Sequence, residues 1–238
     1  MSNLSIVIIN KDQEVAIPLM VEALKKQLPN TERCFVLDRC VDKSKQILID
    51  LGEKFVENHE GVGFCAATAR NLGLNNVNIN NDVLFLDGDR IPYNLSIDLI
   101  QQALDTFDLT LIKCEIDKAR PWFTDSFRSN PHYHTFNNCV WSCGFSIRRS
   151  AIENIKTINN GRLFNELFNG RWGYEDLNLG DMALVLNLTC GAFPDFTYLD
   201  GELYIPEILR TVERTQQHNI RKLLRMALFI KFNKVIDN

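Results

Sequence analysis

The stretch Asp82-Val83-Leu84-Phe85-Leu86-Asp87-Gly88-Asp89 limits the possible folds of this chain more than any other. A short apolar run bounded by acids reads as a buried strand of a parallel sheet. Such a strand delivers Asp87 and Asp89 to its carboxyl end, where ligands of open α/β sheets bind. Two carboxylates on one short turn repel each other unless a cation joins them. A hard divalent ion, Mg²⁺ or Mn²⁺, takes oxygen ligands and keeps positions free for phosphate oxygens. A strand closed by an ordinary Asp-Gly turn is the simpler account, so the neighbouring segments decide.

Those neighbours alternate. Residues 5–9 are apolar and β-branched and stop at Asn10-Lys11-Asp12; Ile17, Met20, Val21, Leu24 and Leu28 then recur at helical spacing before Pro29. Cys34-Phe35-Val36-Leu37 forms a second strand ending in Asp38-Arg39-Cys40-Val41-Asp42-Lys43-Ser44, and Ile47, Leu48 and Leu51 mark a second helix. A short strand over 54–57 is followed by Gly61-Val62-Gly63 and by a helix of small residues, Ala66-Ala67-Thr68-Ala69-Arg70-Asn71-Leu72-Gly73, able to lie close to sheet or ligand. The strand ending at Asp87 is the fourth. This order predicts right-handed crossovers and an α/β fold: a mostly parallel, doubly wound sheet with helices on both faces. The two glycines do not make a dinucleotide fingerprint, because the third is missing.

A helix over 96–107 and a strand over 109–114 continue the pattern, and then regularity lapses. Residues 117–138 are rich in Pro, Arg, His and aromatics, and loops of that length in compact domains are often functional. A strand over 140–147 and a short helix with Ile152 and Ile155 inward follow. Next come Arg171-Trp172-Gly173-Tyr174-Glu175-Asp176 and an apolar helix over 177–188. Adjacent acids at a helix N-terminus gain about 0.3–1 kcal/mol from the helix dipole, which explains Glu175 and Asp176 without chemistry.

At 238 residues and 45% hydrophobic composition, the chain suits one large soluble α/β domain with an extension. A formal charge of -4 gives no global attraction to nucleic acid or anionic lipid. The N-terminal residues show neither a basic leader nor a long apolar segment, so the expectation is a cytosolic protein. Seven cysteines without C-x-x-C spacing predict reduced core thiols; a zinc site from Cys139, Cys143, His132 and His134 lacks standard spacing. From Arg210 the chain turns basic, and Ile220, Leu223, Leu224, Ala227 and Leu228 fall on one helical face. We therefore divide the chain into a main α/β domain, 1–208, and a basic amphipathic helical extension, 209–238. The extension either docks on its own domain or brings the protein to an anionic membrane surface as a peripheral protein.

Taken in order, these polar clusters resemble those of GT-A fold, nucleotide-diphospho-sugar glycosyltransferases of the family 2-like group, over about residues 5–188. Ser5-Ile6-Val7-Ile8-Ile9-Asn10 is similar to the family's opening strand and Asn, and residues 37–44 to its D-D-G-S-x-D-x-S segment. Ala69-Arg70-Asn71-Leu72-Gly73 resembles A-R-N-x-G, and Asp87-Gly88-Asp89 the metal-binding D-x-D. Trp172-Gly173-Tyr174-Glu175-Asp176 is similar to the W-G-x-E-D of galactosyl- and N-acetylgalactosaminyltransferase catalytic domains. Arg39 and Cys40 depart from the usual Gly-Ser pair. A Q-x-x-R-W motif is absent, since Gln216-Gln217-His218-Asn219-Ile220-Arg221 lacks the tryptophan, which argues against a processive polysaccharide synthase.

The resemblance implies a non-processive, inverting hexosyl- or pentosyltransferase. It would move sugar from a nucleotide-diphosphate sugar, a UDP-sugar first, to a hydroxyl of a glycan or glycolipid. Asn10, Asp38, Arg70, Asn71 and Asp87 would bind the donor, with Asp38 accepting from the base. Asp87 and Asp89, with His218 added from the tail, would hold Mn²⁺ or Mg²⁺. Asp176 would be the base, Glu175 would hold a hydroxyl, and Trp172, Trp122 and Arg120 would bind the acceptor. One alternative is a phage-type enzyme glycosylating a hydroxymethylated base in DNA, gripped by residues 120–136 and the basic tail. Another is a non-catalytic sugar- or nucleotide-binding module.

Overall fold

Residues 4–63, 65–92, 95–114, 144–170 and 174–200, with 224, 227 and 228, are described by the computed structural model. The first half is built from the expected alternation: β1 (Leu4–Asn10), α1 (Ala16–Gln27), β2 (Glu32–Asp38), α2 (Ser44–Asp50), β3 (Phe55–Asn58), α3 (Ala66–Leu74) and β4 (Asp82–Asp87). Then come β5 (Arg90–Pro92), α4 (Ile97–Thr106), β6 (Leu109–Cys114), β7 (Gly144–Ile147), α5 (Arg149–Ile158), a 3₁₀ turn (Glu166–Phe168), α6 (Glu175–Val185) and β8 (Cys190–Asp200).

The strands form one sheet in the order β3-β2-β1-β4-β7-β6-β8-β5. β3, β2, β1 and β4 run parallel, with Ile9 paired to Asp87 at the carboxyl ends of β1 and β4. β6 does not continue that run directly. β7 lies between β4 and β6, antiparallel to both, after the stretch of sequence in which periodicity lapses. β6 and β8 pair in parallel, and β5 closes the edge antiparallel to β8.

Side chains of each strand alternate between two cores, as a pleated backbone requires. Ile6, Ile8, Leu84 and Leu86 pack with Ile17, Met20 and Leu24 of α1, Leu48 of α2 and Ile100 and Leu104 of α4. Val7, Val83 and Phe85 point the other way, against Ala67 and Ala69 of α3, Ile152 and Ile155 of α5, and Leu179 and Met182 of α6. Helices thus cover both faces, and the sheet is doubly wound. Leu228 is buried in the second core with Leu224 beside it, so these two tail residues dock on the domain. Among the described residues no helix is long and apolar enough to cross a membrane. Cys34, Cys40, Cys65 and Cys190 are free thiols.

The small residues of α3 have a structural purpose. A Cβ added at Gly73 would lie 2.3 Å from Val7 Cγ1 and 2.8 Å from Val36 Cγ2, so the helix rests directly on β1 and β2. That close approach fixes where Arg70, three residues earlier, enters the site. Gly73→Val should overpack this contact and lower stability by about 1–3 kcal/mol, read as a reduced urea midpoint with an unchanged slope. An unchanged midpoint would show that α3 can lift off the sheet freely.

Candidate active site

Strand order reverses at β1, since β2 and β3 lie on one side and β4 on the other. In open α/β sheets the crevice outside the carboxyl ends at such a point is where ligands bind. Asn10 ends β1 and Asp87 ends β4, so both stand at its mouth. Gly88 N–H donates to Ile9 O at 2.8 Å, and a Cβ at Gly88 would fall 2.0 Å from Asn10 Oδ1, so this turn admits only glycine. Asn10 is 2% exposed, and its Nδ2 donates to Ile8 O, but among the described residues Oδ1 has no partner. An orphaned buried acceptor costs about 1–3 kcal/mol unless something fills it. It lies beside the turn that joins Asp87 to Asp89.

Arg70 organises the other wall. Fully buried, it donates from Nη2 to Asp87 Oδ1 and from Nη1 to Glu175 Oε1, each at 2.8 Å, and lies 5.4 Å from the centre of the Phe164 ring. Phe164 packs edge-on against Phe85, which stacks on Phe145 at 5.0 Å, so the guanidinium rests on an aromatic floor rooted in β4 and β7. Burial works against its charge, but Asp87, Glu175 and Asp176 outweigh that and hold it protonated more firmly than an ordinary arginine. For Asp87 the balance goes the other way. Burial pushes its carboxyl above the usual carboxylate range, against the pull of Arg70 and Arg90. Asp89 is also buried, with Arg90 Nε 3.5 Å from its Oδ1.

Carboxylates on either side of Gly88, with an unfilled amide oxygen next to them, are the oxygen donors a hard divalent cation takes. A cation there would relieve both the strained ionisation of Asp87 and the orphaned Asn10 Oδ1. The residues present therefore fit the metal that the sequence pattern implies.

Glu175 and Asp176 open α6 directly after Tyr174, which holds a left-handed φ of 80°. A non-glycine residue kept there marks a backbone that its surroundings over-determine, as functional sites often do. Both acids are buried. Glu175 is bound by Arg70, whereas Asp176 Oδ1 accepts from Leu177 N–H at 2.7 Å, a first-turn N–H of the kind that makes acids favourable at a helix N-terminus. Asn71 has a different task. Its amide donates to Phe164 O and Glu166 Oε1 and accepts from Phe164 N–H, fastening the segment that carries Phe164.

At the carboxyl end of β2, Asp38 Oδ1 accepts from Arg39 Nε and Asn58 Nδ2, and its Oδ2 from Arg39 Nη2 and Cys65 N–H. Nearby, Asp12, Cys40 and Asp42 bring ligand atoms within 4.8 Å of one another. Asp12 and Asp42 accept from Val41 and Glu14 N–H, which locks the loop after β1 to the loop after β2.

The structure thus gathers Asn10, Arg70, Asp87, Asp89 and Glu175, with Asp176 adjoining, and sets Asp38 at the next strand end. Trp172, Trp122, Arg120, His218, the zinc candidates Cys139, Cys143, His132 and His134, and the domain boundary at 208/209 all lie outside the described residues. Phe164 and Asn58 were not singled out in the sequence. Neither stands in a motif, and each acts only through contacts distant in the chain.

No protein-family model matches the sequence, and no curated protein matches it. Solved structures do match the fold. TarS of S. aureus superposes with a TM-score of 0.64 at 18% identity, covering 84% of this chain and 36% of TarS. A mannosyltransferase from Pyrobaculum calidifontis, in complex with GDP-Man and Mn²⁺, gives 0.64 at 14% identity over 99% of this chain and 64% of its own. Glucosyl-3-phosphoglycerate synthase from Mycobacterium tuberculosis, with Mg²⁺ and UDP, gives 0.61 at 13% identity over 93% and 78%. These are GT-A glycosyltransferases, and the GT-A fold is the fold of this chain. The chain spans about a third of TarS and under two thirds of the mannosyltransferase. TarS is also known with UDP-GlcNAc bound, and the ligands of these neighbours, nucleotides, nucleotide sugars and metal ions, give a DNA acceptor no support.

Removing Arg70 would take the ion-pair partner from the buried Glu175 and from the half-buried Asp87. Arg70→Met should cost about 3–5 kcal/mol at neutral pH by chemical denaturation. Part of the loss should return on acidification, because a carboxyl whose folded pKa lies above its unfolded value gains stability as it protonates. A small loss independent of pH would contradict the ion pairing.

Proposed function

We propose that this chain is a metal-dependent, non-processive glycosyltransferase that moves a sugar from a nucleotide-diphosphate donor to an acceptor hydroxyl on a glycan or glycolipid, with inversion. The observation that carries the reading is the Asp87-Gly88-Asp89 turn at the β1/β4 crevice of a GT-A fold, with Asn10 Oδ1 unfilled beside it and Arg70 linking Asp87 to Glu175.

Asp89 and Asp87 would hold Mn²⁺ or Mg²⁺, with Asn10 at hand, and His218 is proposed as a further ligand. The metal supplies positive charge against the diphosphate that leaves. Glu175 is fixed in orientation by its ion pair with Arg70 and is proposed to hold a hydroxyl. Asp176 is proposed as the base, as the W-G-x-E-D resemblance implies: it takes the acceptor hydroxyl's proton while that oxygen bonds to the anomeric carbon and the bond from that carbon to the diphosphate breaks. Trp172, Trp122 and Arg120 are proposed to receive the acceptor.

Transfer should be lost in EDTA and restored by Mn²⁺. Cation affinity should rise with pH above the ordinary carboxylate value of 3.8, because Asp87 holds its proton longer than a free carboxylate and must release it to bind metal. Asp176→Asn should keep donor binding and lower kcat by about 10²–10⁴-fold, whereas Asp89→Asn should lose Mn²⁺-dependent diphosphate binding as well. Full turnover in chelator would refute the reading, and near-normal kcat in Asp176→Asn would return that residue to helix capping.

A further inference from the structure

Arg39 stands where the resemblance has a small glycine. Its φ of 51° is in the left-handed region, and its N–H donates to Leu37 O and Asn58 O, which keeps it there. From that turn the guanidinium grips two segments at once. Nε and Nη2 donate to Asp38 Oδ1 and Oδ2 at 2.9 and 2.8 Å, a bidentate pair. Nη1 donates to Gly61 O at 2.9 Å, and Nη2 also to Gly63 O. A planar fork reaches these acceptors in one orientation, which the point charge of a lysine would not do.

The loop so gripped has no apolar anchor at its tip. Val62 is 85% exposed and lies between glycines with φ of 93° and 70°. Its backbone is nevertheless a bearing surface. A Cβ at Gly63 would lie 2.6 Å from Gly170 O, and one at Gly170 would lie 3.2 Å from Val62 O, so two main chains meet with no side chain between them. With no side chain there to yield, a shift of one is passed to the other. Gly170 precedes Tyr174 by four residues, and Tyr174 leads into α6 with Glu175 and Asp176. The clamp also reaches α3. Asp38 Oδ2 accepts from Cys65 N–H at 3.4 Å, immediately before the helix that carries Arg70. Arg39 therefore stands at the root of both walls that the Arg70–Glu175 ion pair joins.

We propose that Arg39 is a positioning residue. By holding residues 61–63 against Gly170 it sets the entry to α6, and with it the place of Glu175 and Asp176 relative to Arg70. That these acids serve sugar transfer rests on the glycosyltransferase reading; that Arg39 sets their position does not.

Amide hydrogen exchange, followed by NMR on the full chain, tests this without a substrate. Asn178 N–H, bonded to Tyr174 O, reports the first turn of α6; Ala69 N–H, bonded to Cys65 O, that of α3; and Ile152 N–H, bonded to Arg148 O, that of α5 as a reference. Arg39→Lys keeps the charge without the fork. It should speed exchange at Asn178 and Ala69 at least tenfold and leave Ile152 within twofold. Gly63→Ala keeps Arg39 but crowds Gly170, and should speed exchange at Asn178 likewise. Asn178 unchanged in either variant, or all three amides faster by the same factor, would overturn the proposal. In sugar transfer, Arg39→Lys should lower kcat at least tenfold, and an unchanged kcat would also overturn it. No transfer by the wild type would remove the glycosyltransferase reading and leave the exchange rates to decide the role of Arg39.

Discussion

The candidate site depends on one buried cation. Arg70 joins an acid at the end of a strand to an acid at the start of a helix, across 105 residues of sequence on the Glu175 side and 17 on the Asp87 side. A charge so placed is tolerated only because both partners and an aromatic face compensate its desolvation. The consequence is geometric: Asp87 and Glu175 cannot move independently. The proposed transfer needs the leaving group and the incoming hydroxyl held in line, and a shared guanidinium would be a rigid means of setting that distance.

Close packing puts the cation in place. Gly73 lets α3 lie on β1 and β2, Asn71 pins Phe164, and Phe164 supports the Arg70 guanidinium. Asn169 reaches back to the other end of the helix, donating to Thr68 Oγ1 at 2.6 Å and accepting from Thr68 N–H. The helix is thus held by the sheet below and by the 3₁₀ segment above. Its small and amide residues serve this fit, and Arg70 alone of the motif reaches the acids.

Much of the fold could be read in the sequence, because strands buried on both faces appear as unbroken apolar runs and their helices keep a clear period. β5 and β8 could not. β5 is only Arg90–Pro92, and β8 contains Gly191 and Pro194, which ordinarily argue against a strand. The sheet accommodates the proline by a register shift: Ile112 pairs with Phe193 and Lys113 with Thr197, so residues 194–196 bulge from the ladder. The insertion of β7 between β4 and β6 was equally hidden, since periodicity gives a strand's existence and not its neighbour. At the site, the acids of the D-x-D turn were legible from spacing. The engagement of Arg70 with Glu175, the bonds of Asn58 and Cys65 to Asp38 and the unfilled acceptor of Asn10 were not, since each depends on which distant segments come together in space.

If the β1/β4 crevice holds a divalent cation with a nucleoside diphosphate, anomalous diffraction from crystals grown with Mn²⁺ and a nucleoside diphosphate should show a manganese peak against the Asp89 carboxylate, with diphosphate oxygens completing its shell and Asp87 and Asn10 beside it. A diphosphate bound elsewhere, or a nucleotide in the crevice with no manganese between it and Asp89, would rule out a metal site at the Asp87-Gly88-Asp89 turn.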